Sequence, residues 1–188
     1  MRKWDNYEAT EVIGVKRKLP AGGYVCKIIE AEEKEYGWGS VLLILFDIAE
    51  GEYKNFYREQ YEKQNGDKKW KGVYRLSVPK DDGTEKDVKV KKGFKTFIHH
   101  IESSNEGYKW DWNETGFRGK KFGGVFGEKE YDVDGNSGFY TTIRYTGDVR
   151  GIENVPVPKQ QLLGKGVGAS GVSGAAQSNW SNNDALPF

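Results

Sequence analysis

Apolar and polar positions change their spacing several times along this chain, and the changes mark its elements. Residues 1–19 mix charged and apolar side chains without a clear period and are read as an arm or an edge strand. Pro20-Ala21-Gly22-Gly23 is a turn. Tyr24 to Ala31 follows as a strand, with Tyr24, Cys26 and Ile28 offered to one face. Tyr36-Gly37-Trp38-Gly39 turns the chain, and Val41 to Ile48 is an unbroken apolar run that predicts a strand buried on both faces. Gly51 ends that run, and Tyr53 to Tyr61 is read as a third strand of the same meander. Glu62 to Lys71 is a polar loop turning at Asn65-Gly66-Asp67, and Trp70 to Pro79 adds a strand or a short excursion.

From Gly93 the period becomes helical. Phe94, Phe97, Ile98 and Ile101 stand at i, i+3, i+4 and i+7, which predicts one amphipathic helix ending near Asn105-Glu106-Gly107. After a Trp-rich connection (Trp110, Trp112), the runs Lys120 to Tyr131 and Phe139 to Val149 flank Asp132 to Gly138, and the Asp-Gly chemistry between them predicts a hairpin. Three strands, a helix and two strands is the order of an oligonucleotide-binding (OB) fold, a five-stranded barrel. The expectation is therefore a mainly β, OB-fold-like domain over residues 1–158, with one helix and an insertion around residues 62–90.

Composition narrows this further. The chain has 188 residues, of which 14% are aromatic, and a formal net charge of +1. Residues 159–188 carry only Lys159, Lys165 and Asp184, so the body is balanced and any polyanion site must be a local patch. Such segregation exists. Residues 28–53 hold seven acids against one Lys, residues 54–75 seven bases against three acids, and residues 86–95 five Lys against one Asp. Arg118, Lys120 and Lys121 form a third basic group. Aromatics interleave with these cations in Lys54-Asn55-Phe56-Tyr57-Arg58 and in Lys69-Trp70-Lys71-Gly72-Val73-Tyr74-Arg75, and Tyr140, Arg144 and Tyr145 follow later. Cations track a phosphate backbone while ring faces stack on unpaired bases, so Lys54, Phe56, Tyr57, Arg58, Lys69, Trp70, Lys71, Tyr74, Arg75, Lys120, Lys121, Tyr140 and Arg144 are the candidate contacts. The competing account is that the rings fill the core and the charges coat a solvated surface.

Other chemistry is poorly supported. The lone Cys26 sits in an apolar run, which excludes an internal disulfide and reads as a small core residue. Asp132-x-Asp134-x-Asn136 lacks the Gly and Glu that complete a calcium loop, since Ser137 and Ile143 stand there. His99 and His100 are adjacent on the helix and face different ways, so they do not share a metal. Gly164 to Gly168 has no Gly-Lys-Ser/Thr and follows no strand. No catalytic set and no cofactor motif stand out. The sequence opens with charged and polar residues instead of a secretory leader, and no apolar run approaches the ~20 residues that span a bilayer, so the expectation is a soluble cytoplasmic protein with no membrane partner.

The C-terminal segment is organised differently. Residues 159–181 are dense in Gly, Ser and Ala and nearly free of charge, a composition that predicts a flexible tether. It ends in a tip, residues 182–188, reading Asn-Asn-Asp-Ala-Leu-Pro-Phe. Asp184, Leu186, Pro187 and Phe188 present an acid, an apolar pair and an aromatic carboxylate, which together suit capture by a partner's pocket and its N–H groups. A Gly/Ser-rich tether closing on Pro-Phe resembles the tail of bacterial and phage single-stranded DNA-binding proteins, although one Asp preceded by two Asn replaces the usual run of acids. That resemblance covers about the last thirty residues. It implies a phage-encoded protein that coats single-stranded DNA in replication, recombination and repair, recruits enzymes of those processes through its tip, works in the host cytoplasm and self-associates. The rival readings are a carbohydrate-binding β-sandwich module, in which exposed Trp and Tyr stack on sugars, and a phage structural or adaptor protein.

Overall fold

A computed structural model describes residue 5 and residues 17–163; the tip residues Asp184, Leu186, Pro187 and Phe188 lie outside the described residues. The described chain is mainly β. Five antiparallel strands, β1 (Gly22–Tyr36), β2 (Gly39–Ile48), β3 (Val73–Ser77), β4 (Lys121–Val133) and β5 (Asn136–Gly147), form one sheet in the order β3-β2-β1-β4-β5. Two helices, α1 (Phe56–Glu62) and α2 (Glu85–Ser104), interrupt them. No ladder joins β3 to β5, so the sheet is open where the sequence predicts a barrel.

Alternation sorts the strands. Cys26 and Ile28 of β1, Leu42, Ile44, Phe46 and Ile48 of β2, and Phe122 and Phe126 of β4 face one core. Phe97, Ile98 and Ile101 of α2 close over it, and Phe97 and Phe46 both meet the Phe122 ring edge-on. Burial pushes the Cys26 thiol well above its ordinary pKa, so it is an inert filler of that core. A bulge between Ile28 and Glu30 shifts the register of β1 against β2 by one residue, so that Ala31 returns to the core face opposite Ile44. On the opposite face, Val25 and Val125 pack under Ile152. That contact requires glycine at position 23, where a Cβ would lie 1.7 Å from the Ile152 carbonyl oxygen.

The segment read as a third strand, Tyr53 to Tyr61, is instead a turn and α1. Its first amides have no partner in their own helix. Asp47, at the end of β2 and only 7% exposed, supplies the acceptor: its carboxylate takes N–H groups from Tyr57 at 2.9 Å, Arg58 at 3.1 Å and its neighbour Ile48 at 2.8 Å. Burial raises the Asp47 carboxyl above its usual range, opposed by those three donors and the Arg58 charge. Anchored this way, α1 turns both rings inward, Tyr57 against Phe46 and Phe56 against Tyr57. The real third strand lies inside the expected insertion. The chain re-enters the sheet through Gly72, whose carbonyl accepts Phe46 N–H at 2.8 Å, and β3 then pairs Leu45 to Val41 of β2.

The helix α2 begins earlier than its apolar stripe. Thr84 caps it by accepting Asp87 N–H at 3.1 Å, and Glu85 and Asp87 complement the helix dipole. Between α2 and β4, Asn105 bonds Ile101 and both main-chain groups of Lys121, fixing the helix end to the strand. The hairpin β4–β5 closes on Asp134-Gly135, both at positive φ, the turn that suits twisted strands. Past residue 158 the chain still bonds the molecule: Gln161 pairs in parallel with Lys129 along β4. Among the described residues no helix is long and apolar enough to cross a membrane.

The Asp47 anchor is testable by urea unfolding. Asp47→Ala strands buried amides and removes a cap, for an expected cost of about 2–4 kcal/mol. Asp47→Asn keeps one acceptor oxygen and should cost clearly less; equal losses would mean that the carboxylate contributes only its volume.

Candidate functional site

Two adjoining hollows run along the open edge of β3, walled on the other side by α2, and they share Ser77 and Val90. The first reaches Tyr145 on β5 and includes Arg75 and Lys89; the second reaches Trp38 in the β1–β2 turn and includes Lys80 and Lys86. Together they make a groove with an exposed aromatic ring near each end and four cations between. Two acids also line it, and both are engaged. Asp87 accepts Lys80 N–H at 2.8 Å and ion-pairs Lys91 at 3.3 Å, while Asp82 accepts Thr84 N–H and O–H, which lower its pKa.

The backbone contributes as well. Phe46 N–H to Gly72 O and Val78 N–H to Ser40 O set the phase of β3. With period two, the main-chain groups of Tyr74 and Leu76 serve β2, and those of Arg75 and Ser77 turn toward the groove. The groove thus offers donors and acceptors beside its rings and charges.

Trp38 is 46% exposed and stacks on Tyr36, with centroids 5.3 Å apart and planes at 11°. The sequence marks it only as a turn residue, although a Trp held between two glycines at a hairpin tip has little of its own chain to bury against. On β1 the same sheet face that bears Arg75 carries Glu30 and Glu32, since Arg75 pairs with Leu43 and Leu43 with Glu32. Those acids make that part of the face unfavourable to an anion, while the cations stand along the β3 edge.

The sequence-predicted contacts divide sharply. Arg75 lines the groove; Lys69 and Lys71 are exposed in the segment that leads into β3 and do not line it. Tyr74 also lines it but turns its ring onto Phe97 at 5.6 Å, and burial pushes its pKa up to about 12. Phe56 and Tyr57 are corrected outright: at 4% and 8% exposure they plug the core and present no face to a base. Trp70 is half-buried, its indole N–H donating to Phe46 O and Gly72 O. Lys54 and Arg58 are exposed around α1, at some remove from the groove lining. Lys120 sits over the Tyr108 ring at 4.6 Å, and Lys121 ion-pairs Glu50 at 2.5 Å. Arg144 bonds Gln161, and Tyr140 stands out along the β4–β5 hairpin. None of these four lines the groove. Among the described residues no group of three or more His, Cys, Asp or Glu is placed to hold a metal.

No model of a known protein family matches this chain, and no curated protein matches its sequence.

Sorting the rings in this way predicts opposite stability effects. Phe56→Ala should cost about 3–5 kcal/mol as a core deletion. Trp38→Ala, a surface ring, should stay within about 1 kcal/mol of wild type. Chemical unfolding of both variants checks the assignment, and a Trp38→Ala loss matching that of Phe56→Ala would return the indole to the core.

Proposed function

We propose that this protein binds single-stranded DNA without sequence preference along the β3 groove, and recruits partner enzymes through its C-terminal tip. The observation that carries the reading is the groove itself, where Trp38 and Tyr145 flank Arg75, Lys80, Lys86 and Lys89. Ring faces hold unpaired bases, cations neutralise the phosphates between them, and outward main-chain groups at Arg75 and Ser77 meet base edges. The strand order, with α2 entering between the third and fourth strands, supports an OB-type fold whose closing seam between β3 and β5 stays open; in that fold the second and third strands and their loops receive oligonucleotides. Duplex DNA hides the base faces that the rings need and binds more weakly.

The groove makes a quantitative demand. With four to six phosphates neutralised, the logarithm of the binding constant for oligo-dT should fall against log salt with a slope of roughly −3 to −4. Trp38→Ala should remove about 1–3 kcal/mol of binding, and Arg75→Ala should flatten the slope by about 0.7. Tryptophan fluorescence titration measures all three. Salt-indifferent binding, or a Trp38→Ala variant that binds like wild type, defeats the groove.

The tip is tested separately. Removing Asp184 to Phe188 should leave oligo-dT affinity unchanged or slightly raised, because the Asp184 carboxylate no longer competes for cations. Partner recruitment should vanish, and one residue added after Phe188 should act almost as strongly by moving the carboxylate off the ring. Pull-downs from infected-cell lysate with intact, truncated and extended chains decide it; equal recovery of the same proteins removes the tip from the mechanism.

A further inference from the structure

The free edge of β5 is unlike the rest of the sheet margin. The β3 edge faces α2 and its cations and is followed closely by Pro79. The part of β4 that runs beyond β1 is covered by Gln161. Along β5, by contrast, Asn136 to Ile143 contains no charge and no proline, and Phe139, Tyr140, Thr141, Thr142 and Ile143 are all strand formers. Charge, proline and covering segments are the usual protections of a sheet edge; this stretch has no charge and no proline, and no strand among the described residues pairs with it.

The direction of the main-chain groups follows from the other side of the hairpin. Gln161 N–H donates to Glu128 O at 3.0 Å and Glu130 N–H donates to Gln161 O at 2.9 Å, so Glu128 and Glu130 point away from β5. Their partners in register are Thr141 and Phe139, whose N–H and C=O therefore turn to the open edge, with Ser137 and Ile143 in the same phase. No main-chain bond reaches these groups from the described residues. The nearby Leu19 carbonyl accepts the Thr141 hydroxyl, at 2.7 Å, which engages a side chain and leaves the Thr141 main-chain groups to the edge.

We infer that β5 pairs antiparallel with β5 of a second copy of this chain, about a two-fold axis at Tyr140. This register sets Phe139 opposite Thr141 and Ser137 opposite Ile143 of the other copy, so every outward main-chain group between Ser137 and Ile143 finds a partner. The pairing is isologous and closes at two chains. Tyr140, 45% exposed, faces its own counterpart at a non-hydrogen-bonded position, where cross-strand side chains are closest and aromatic pairs stabilise. No like charges meet along this stretch. A DNA strand is a poorer occupant, because the stretch offers no cation. One strand pair falls short of the ~1,200–2,000 Å² of a standard interface, so the dimer is concentration-dependent.

The test uses the full chain without DNA, and its outcome is independent of the DNA-binding reading. Sedimentation velocity across a concentration series should pass from one-chain to two-chain mass. Tyr140→Lys sets like charges across the axis and should raise the midpoint concentration by about tenfold or more, with an unchanged thermal melt showing that the fold is intact. Under mild oxidation Tyr140→Cys should give a two-chain disulfide, because opposed Cα atoms at such positions lie within bridging distance. Thr142→Cys should not, because in this register its counterpart lies several residues along the strand; the native Cys26 is buried and silent. Single-chain mass at every concentration, a dimer indifferent to Tyr140→Lys, or equal cross-linking of the two cysteine variants overturns the proposal.

Discussion

One buried carboxylate sets the path of the chain through the first half of the molecule. Asp47 closes β2 and, by holding the first amides of α1, turns the chain out of the sheet where the sequence would let it run on as a strand. That diversion puts Phe56 and Tyr57 under the sheet and brings the chain back through Gly72 as β3. Without it, α1 has seven residues and little intrinsic reason to be helical, since isolated helices of that length are marginal. The groove inherits this arrangement, because the β3 edge exists only where α1 lets the chain return.

The strongly patterned elements could be read from the sequence. The continuous apolar run of β2, the helical spacing of Phe94, Phe97, Ile98 and Ile101, and the Asp-Gly hairpin each rest on a single local rule that tertiary contacts then reinforce. The place of β3 could not be read, because α1 depends on a side chain ten residues earlier in the chain, and no local window joins Asp47 to Tyr57. Its five residues are also too few to declare a period.

Of the candidate groove, composition signals the cations and rings but not which of them come together. A cation beside an aromatic in sequence says little about which way the ring turns. In β3, alternation sends Tyr74 inward and Arg75 outward, separating the two halves of a sequence-level pair. In α1, the capped first turn sends both rings of Phe56-Tyr57 inward together. The exposed ring nearest the second cation pair, Trp38, lies in the acidic stretch of residues 28–53, where charge counting does not look, and reaches the groove only because β2 pairs with β3.

The tight packing of Ile152 over Gly23 has a consequence for ancestry. At position 23 a side chain of any kind would collide with a main-chain carbonyl, and at position 72 it would meet the Phe46 carbonyl at 2.2 Å. Neither site can follow the drift open to the surface loops, or exchange one apolar residue for another as the core can. Both positions are therefore closed to side chains even where the strands around them can vary. Glycine at these two structural positions, more than overall similarity, is the trait by which distant kin would be sought.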